Sequence, residues 1–202
     1  MLNTYKTIQS VSQGLFKDKG SKFISYAIPV KSADEVKSHL DEYRKKYHDA
    51  RHHCYAYILG PDRQAWRAND DGEPSGTAGK PILGQINSSG LTNILVIVIR
   101  YFGGTLLGTS GLINAYRNSA MDAITNSVII ELTVNVYYKV KFPYSQMNRV
   151  MKFIKEENLS QTDQEFGLEC SIIVGFSNEM TDRILNKFNL IEGVVLTYLY
   201  TT

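Results

Sequence analysis

The sequence predicts an α+β protein of two domains, residues 1–131 and residues 132–202. The 202 residues suffice for one large or two small domains, and with 43% hydrophobic residues they can build real cores. Residues 94–99 form an unbroken aliphatic run, which is typical of a buried strand. Strand and helix signals alternate on both sides of this run, and the composition changes near residue 132.

The first predicted elements are two strands and a helix. Residues 5–11 and 22–30 are predicted as strands joined by a polar turn at residues 17–21. Ser32 and Glu35 have the spacing of a capping box, in which the hydroxyl and the carboxylate satisfy opposite orphan amides at a helix start. The buried face of the predicted helix consists of Val36, Leu40, Tyr43 and Tyr47.

The middle of the first domain is predicted as a hairpin followed by two helices. The hairpin strands are residues 53–59 and 64–68, with a turn at residues 60–63. The first helix is short and has Pro81 near its first turn, where the missing N–H costs nothing. The second helix covers residues 109–126 and follows the aliphatic strand. Its small-residue packing face consists of Leu112, Ala115, Tyr116, Ser119, Ala120, Ala123 and Ile124.

The second domain is predicted to have the order β-α-β-β-α-β, which is the ferredoxin-like arrangement. The predicted strands are residues 132–142, 159–165, 168–176 and 194–200. Ser145 is expected to cap the first helix, and either Asn178 or Thr181 is expected to open the second. Apolar side chains alternate onto one face of the third strand, as in a half-buried sheet.

The charge of the chain limits what can be inferred about its binding partners. The net charge of +2 and the pI of about 8.4 are too mild to indicate nucleic-acid binding by themselves. Residues 1–133 carry 15 Lys+Arg against 12 Asp+Glu, a balance of +3, whereas residues 134–202 carry 7 against 8, a balance of −1. Any affinity for polyanions is therefore expected in the first part of the chain.

The expected compartment is the cytoplasm. Cys54 and Cys170 lie far apart within apolar, strand-like runs, which favours buried free thiols over a disulfide. The N-terminus lacks the apolar core of a signal peptide, and the longest aliphatic run is far too short to span a membrane. We therefore expect a cytoplasmic protein with no membrane partner.

Two glycine-rich loops carry most of the chemistry, at residues 70–81 and 100–112. Each leads into a predicted helix, where free backbone N–H groups beside a basic side chain suit a phosphate. Neither loop has the spacing of the Walker or the dinucleotide-binding pattern. In the second loop, Arg100 can grip a phosphate through two parallel hydrogen bonds. The adjacent Tyr101 and Phe102 can stack on bases.

The expected nucleic-acid or phosphate contacts come from both loops and from nearby basic and polar residues. They are Arg100, Tyr101, Gly103, Gly104, Lys22, His53, Ser75, Gly76, Thr77 and Lys80. The alternative is that the glycines only make a tight strand-to-helix turn and that the aromatic rings fill the core. The basic clusters at residues 17–22 and 44–46 are either solvated faces or further contacts with nucleic acid.

The first glycine-rich loop also holds three carboxylates. Asp70, Asp71 and Glu73 present the oxygen ligands that Mg²⁺ prefers. The alternative is that these carboxylates cap helix N-termini or form salt bridges to Arg67 and Lys80. The sequence therefore requires no cofactor and leaves a Mg²⁺ site as one interpretation of this loop.

Other reactive residue types do not form a recognisable site. Zinc is not expected at residues 52–54, because consecutive strand residues point to opposite faces and cannot converge on one metal. A single histidine of this segment, His53 or His52, remains a candidate for an acid–base role or a phosphate contact. No base lies near Ser75 or Thr77 in the sequence, so no catalytic residue is assigned.

The chain resembles the bacterial, YigZ-like members of the IMPACT family. The resemblance rests on residues 70–79, 100–104 and 108–117, supported by residues 21–23 and 53–57, and it covers essentially the whole chain. It implies an N-terminal domain with the ribosomal protein S5 domain 2-like fold and a C-terminal ferredoxin-like domain, like the last two domains of the translocation elongation factor. Eukaryotic relatives act in the control of translation initiation by competing for the activator of a stress kinase, a pathway that bacteria lack.

These observations predict an RNA- or ribosome-binding protein that modulates translation, with the contact surface in the N-terminal domain. One alternative is a metal-dependent enzyme acting on a phosphorylated small molecule or a nucleic acid, because the first domain's fold type also hosts small-molecule kinases. A second alternative is an adaptor that binds a protein partner. The sequence does not determine the oligomeric state.

Overall fold

The structure, a computed structural model, describes residues 3–202. The chain folds into two compact units. The first consists of residues 5–132, and the second consists of residues 133–202 together with Asn3 and Thr4. Among residues 3–202, every helix is too short or too polar to traverse a bilayer.

The first unit is built on a five-stranded antiparallel sheet. From the start of the described chain, the elements are β1 (Thr4–Ile8), β2 (Ser12–Asp18), β3 (Ser21–Pro29), α1 (Ala33–Lys46), β4 (His52–Leu59), β5 (Ala65–Asn69), α2 (Gly79–Ser88), β6 (Ile94–Tyr101), α3 (Gly108–Thr125) and β7 (Ile129–Thr133). The sheet has the order β2-β3-β6-β4-β5, with β6 at its centre, and β1 pairs with β7 in a separate two-stranded sheet.

Helices cover both faces of the five-stranded sheet, which explains the unbroken aliphatic run of β6. Val96 and Val98 pack in the core that includes α2 and α3, whereas Leu95, Ile97 and Ile99 pack in the core that includes α1. All these side chains are fully buried. Burying an aliphatic side chain of this size contributes roughly 1.5–3 kcal/mol, so β6 is a principal source of stability for the unit.

Several predictions for this unit are confirmed. The hairpin corresponds to β4 and β5, and the buried face of α3 consists of the same residues that the small-residue pattern indicates. Ser32 caps α1, since its hydroxyl accepts from the Glu35 N–H at 3.2 Å. The Glu35 carboxylate closes the turn by accepting from the Lys31 N–H at 2.7 Å, one residue before the position that the capping box predicts.

Strands are present near both predicted positions, at Thr4–Ile8 and Ser21–Pro29, but the predicted connection between them is wrong, because the polar turn joins β3 to β2. The partner of β3 is β2, a strand that the sequence pattern did not indicate. This edge strand contains Gly14, where a side chain would collide with the backbone of Ala123 in α3, at 2.3 Å from its nitrogen. Close approach of the helix therefore requires a glycine here, and the glycine removes the apolar alternation that identifies a strand.

The second unit contains β8 (Asn135–Pro143), α4 (Met147–Glu156), β9 (Ser160–Glu165), β10 (Glu169–Ser177), α5 (Thr181–Asn189) and β11 (Val195–Thr201). Its sheet is antiparallel and has the order β11-β8-β10-β9, which is the predicted ferredoxin-like arrangement. Val140, Ile172 and Phe188 lie at the centre of its core.

Two details of the second unit differ from the prediction. The expected strand of residues 132–142 is interrupted, because the Val134 N–H donates to the Asn3 carbonyl rather than continuing either β7 or β8. Ser145 lies within a short 3₁₀ turn, Tyr144–Gln146, and α4 begins without a side-chain cap.

Candidate nucleic-acid interface

The two glycine-rich loops of the first unit are joined by a buried polar cluster. Glu73, whose side chain is 3% exposed, accepts a hydrogen bond from Arg100 Nη1 at 2.6 Å and another from the Tyr116 hydroxyl at 2.8 Å. Cys54 Sγ lies 3.0 Å from the Asp70 carbonyl oxygen and 3.3 Å from the Tyr116 hydroxyl oxygen. Burial raises the pKa of the Cys54 thiol far above its ordinary value, so the thiol stays protonated and is a poor nucleophile.

Arg100 does not present its guanidinium to solvent as a free phosphate grip. The residue is 7% exposed, and its guanidinium carbon lies 5.5 Å from the ring centre of Phe23 and 5.7 Å from that of Phe102. Its Nη1 is engaged by Glu73, and no acceptor among residues 3–202 pairs with its Nε. The positive charge is therefore balanced within the protein, and Arg100 positions the loop that follows it.

The predicted phosphate cradle at Ser75, Gly76 and Thr77 is already occupied by a carboxylate of the protein. Asp70 accepts from the backbone N–H groups of Gly76, Ala78 and Gly79 at 2.8, 2.9 and 2.7 Å. Burial raises the pKa of Asp70, but these hydrogen bonds and the charge of Lys80 outweigh it and hold the pKa below its ordinary value. The N–H groups that would bind a phosphate here have no free hydrogen.

The remaining predicted contact residues of this loop differ in their exposure to solvent. Thr77 is buried, and its hydroxyl donates to the Pro74 carbonyl at 2.7 Å. Ser75 and Lys80 are exposed at the rim of the loop. Only these two side chains of the first loop's predicted contacts are therefore placed to meet a partner.

The three loop carboxylates face separate protein partners. Glu73 pairs with Arg100, Asp70 accepts from the start of α2, and Asp71 accepts from the His53 N–H at 2.6 Å. Within residues 3–202, no three His, Cys, Asp or Glu side chains come close enough together to hold a metal ion. The capping interpretation therefore describes Asp70, and this part of the chain gives no geometric support for a Mg²⁺ site.

The two neighbouring histidines have opposite orientations, as adjacent residues of a strand must. His53 is buried and its Nε2 lies 3.1 Å from the Tyr47 carbonyl, so it does not reach the surface as the sequence analysis expected. His52 Nδ1 lies 2.8 Å from the Asp71 carbonyl oxygen. Because a carbonyl can only accept, Nδ1 donates to it, and Nε2 has no hydrogen-bond partner among residues 3–202. His52 is therefore the histidine that faces the site.

The two glycines of the second loop are required for different structural reasons. A side chain at Gly103 would place its Cβ 1.9 Å from the Gly20 carbonyl carbon and 2.1 Å from the Ser21 nitrogen. Gly103 therefore allows the loop to pack against the β2–β3 turn, where its N–H donates to the Ser21 hydroxyl at 3.1 Å. Gly104 has a φ of +86° and lies in open space, so it meets a backbone requirement.

Basic side chains from separate segments meet where β6 ends. Lys22 lies opposite Tyr101 across β3 and β6 and opposite Lys17 across β2 and β3. Arg51 immediately precedes β4, in which His52 lies opposite Arg100. Arg44, in the last turn of α1, reaches the same end of the sheet, 3.7 Å from Asp71. We call the exposed side chains of Lys17, Lys22, Arg44 and Arg51 the basic end of the sheet.

A cleft of about 530 Å³ opens at the basic end. Its lining consists of Asp49, Ala50, Arg51, His52, Arg100, Tyr101, Phe102 and Leu106. The Tyr101 hydroxyl donates to Asp49 at 2.7 Å, a bond that raises the pKa of Tyr101 to about 12. Phe102 is 57% exposed and Leu106 is 82% exposed. Phe102, rather than the hydrogen-bonded Tyr101, is thus the aromatic ring available for stacking.

Comparison with known proteins agrees with this architecture. Residues 19–124, which include the cleft and both glycine-rich loops, match the family model of the Impact N-terminal domain. The chain belongs to the IMPACT family. It is 30% identical over 207 residues to the IMPACT family member YvyE of Bacillus subtilis, covering 98% of this chain and 95% of that protein.

Other IMPACT relatives match over shorter parts of the chain. The chain is 37% identical over 134 residues to YigZ of Escherichia coli, covering 65% of this chain and 66% of that protein. It is 32% identical over 178 residues to the IMPACT family member of Haemophilus influenzae, covering 82% and 85%. A crystal structure described as that of a hypothetical protein superposes with a TM-score of 0.79 at 26% identity, covering 99% of each chain. The sequence similarity to YvyE and the similarity to this solved structure therefore extend over both units.

Proposed function

We propose that this IMPACT family member binds RNA of the translation machinery through the basic end of the first unit. The observation that carries the proposal is that Lys17 and Lys22 of the β2–β3 hairpin lie at the same end of the sheet as Arg44 and Arg51, where Arg51 lines the cleft. A net charge of +2 conceals this local concentration of positive charge. Such a concentration is the electrostatic footprint of a polyanion site.

The charges of the basic end are available to a ligand. Lys17, Lys22 and Arg51 have no ion-pair partner among residues 3–202, and Arg44 shares only a partly exposed pair with Asp71. Binding of phosphates to these cations releases the counterions condensed on the RNA, which supplies affinity that falls with salt. The exposed ring of Phe102 adds a stacking surface beside the cations.

The source of the RNA is proposed from the family. Eukaryotic IMPACT proteins act in the control of translation initiation, and both domains of this chain resemble domains of the translocation elongation factor. A ribosomal particle is therefore the partner that we propose. The family likeness supplies this choice of partner, while the charges of the basic end supply the proposed contact.

Sedimentation of the tagged protein in gradients of native lysate tests the proposal. The test variant is Lys22→Gln with Arg51→Gln, and the matched control is Lys31→Gln with Arg67→Gln, which removes two exposed charges away from the basic end. We expect the wild type and the control to co-migrate with ribosomal particles at low salt. High salt, nuclease and the test variant should each release the protein.

Binding of purified protein to structured ribosomal RNA gives the quantitative form of the experiment. Each lost phosphate contact lowers the slope of log affinity against log salt by about 1, so the test variant should lower it by about 2. Equal slopes for the test and control variants would contradict the proposed site. Absence of salt-dependent RNA binding in the wild type would contradict the proposed function.

A further inference from the structure

We propose that the cleft at the basic end holds one unstacked nucleotide of a single-stranded RNA segment, with its base against Phe102. This inference rests on the proposed function, because it specifies which form of RNA the surface takes. It follows from three kinds of lining group in the cleft: an apolar ring, a cation and two polar hydrogen-bonding side chains.

The size and shape of the cleft favour a single nucleotide. A volume of about 530 Å³ lies within the range of roughly 300–1,000 Å³ that small-molecule sites occupy. A base that is paired and stacked in a helix cannot enter such a cleft, whereas an unpaired base can turn out of the strand. The cleft therefore discriminates between single-stranded and double-stranded RNA.

The polar groups of the cleft match the separate parts of a nucleotide. Arg51 is exposed and has no ion-pair partner among the described residues, so it is free to meet a phosphate. The Asp49 carboxylate is an acceptor and His52 Nε2 is a second hydrogen-bonding group, and both suit ribose hydroxyls and the polar edges of bases. An isolated phosphate ion would be repelled by Asp49, and it would leave the apolar wall uncovered. A nucleotide can contact all three kinds of group at once, with its base against the apolar ring, its phosphate at the cation and its polar groups at the hydrogen-bonding side chains.

The stacking ring is held in place by the buried cluster beneath it. Arg100 lies 5.7 Å from the ring centre of Phe102, and its own position is set by the hydrogen bond to Glu73. This cation–π contact stabilises one orientation of a ring that is otherwise 57% exposed. Glu73 and Arg100 are therefore positioning residues, and their role joins the two glycine-rich loops to one binding surface.

Fluorescence anisotropy of the 202-residue chain tests the inference directly. The probes are a 12-nucleotide single-stranded RNA and a blunt duplex that contains the same strand. The variants are Phe102→Ala and, as the matched control, Trp66→Ala, which removes an aromatic ring of similar exposure, 59%, on the edge strand β5. We expect the wild type to prefer the single strand and Phe102→Ala to weaken it roughly tenfold, while Trp66→Ala leaves it unchanged.

Three further measurements sharpen the result. Phe102→Leu retains an apolar side chain without the aromatic ring, so it should show most of the same loss if stacking is the cause. Adenosine monophosphate should displace the labelled strand at concentrations at which inorganic phosphate does not, because only the nucleotide carries a base and a ribose. The salt slope should be the same for Phe102→Ala and the wild type, since no charge is removed.

The possible failures are distinguishable. If neither RNA form binds the wild type, the proposed function fails and the inference falls with it. If RNA binds but the duplex binds as well as the single strand, the inference is overturned while the basic end remains the contact. The same conclusion follows if Phe102→Ala and Trp66→Ala bind the single strand equally, or if inorganic phosphate competes as well as the nucleotide.

Discussion

Arg100 and Glu73 form a buried ion pair, with Nη1 of the arginine donating to Oε1 of the glutamate at 2.6 Å. Their side chains are 8% and 3% exposed, and they belong to the two different glycine-rich loops. The pair explains why two segments that are separate in sequence act as one structural unit. It also means that the most prominent basic residue of the second loop serves the fold before it serves a ligand.

Removal of one partner of this pair should be strongly destabilising. Glu73→Gln leaves the Arg100 charge buried without a counter-charge, and we expect a loss of about 3–5 kcal/mol in the free energy of unfolding. Tyr116→Phe removes the second hydrogen bond to Glu73 and the weak contact with Cys54 Sγ, and it should cost about 1 kcal/mol. Denaturant unfolding followed by circular dichroism measures both.

The double variant Glu73→Leu with Arg100→Met provides the control for charge burial. It removes both charges and keeps similar volumes. Its loss in the free energy of unfolding should therefore be much smaller than the summed losses of the single variants Glu73→Leu and Arg100→Met. Additive losses would show that the two side chains act independently, contrary to the hydrogen bond between them.

The Asp70 cap predicts a loss of stability in acid. The folded-state pKa of Asp70 lies below its ordinary value of 3.8, so the unfolded chain takes up the proton first as the pH falls. The contribution of the Asp70 charge to the free energy of unfolding is fully present above the ordinary pKa of 3.8 and is lost as the pH falls through the folded-state pKa. At pH 7, Asp70→Asn should cost about 2 kcal/mol through weakened hydrogen bonds to the start of α2.

Unfolding measured between pH 7 and pH 3 checks this prediction. The difference between the wild type and Asp70→Asn should shrink at the acid end of the range. Asp41→Asn, which changes an exposed carboxylate on α1, serves as the matched control and should track the wild type. A difference between the wild type and Asp70→Asn that stays constant with pH would contradict the proposed role of the charge.

His53 predicts a second pH dependence, near neutrality. Burial lowers the pKa of His53 below its ordinary value of 6.5, despite the opposing charge of Asp71. The unfolded chain therefore binds the proton first, and the free energy of unfolding should decrease as the pH falls below about 6.5 and through the folded-state pKa. His53→Gln should remove this contribution, which is at most about 1.4 kcal/mol per pH unit.

Nuclear magnetic resonance titration of the ring protons gives the direct check. The His53 signals, assigned by their absence in His53→Gln, should titrate with a midpoint below 6.5. A midpoint at or above that value would mean that the ring is less buried or more strongly paired with Asp71 than the structure shows.

The two glycines of the second loop should respond differently to alanine. Gly103→Ala places a methyl group against the backbone of Gly20 and Ser21 and should cost about 2–3 kcal/mol. Gly104→Ala meets no neighbouring atom, so only its positive φ opposes it, at about 1 kcal/mol. Thermal unfolding of the two variants measures the order, and an equal or reversed order would contradict the packing of the β2–β3 turn.

Local patterns predicted most of the fold. The aliphatic run of β6, the Ser32 cap and the alternating residues of β10 each encode an element within a few residues. The edge strand β2 escaped prediction, because its Gly14 is required by the close approach of Ala123 in α3, which lies more than a hundred residues later in the chain. Periodicity cannot report a close approach between distant segments.

The sequence by itself determined most of the elements, β2 excepted, and the two glycine-rich loops by which the chain resembles its family, because these depend on neighbouring residues. Only the tertiary structure decided which charges are exposed. Arg100 is buried because the fold brings Glu73 to it from 27 positions away, and the Asp70 carboxylate takes the N–H groups that a phosphate would need. Whether a charged side chain is solvated or buried depends on whether the fold brings an oppositely charged partner to it. A local sequence pattern cannot identify that partner.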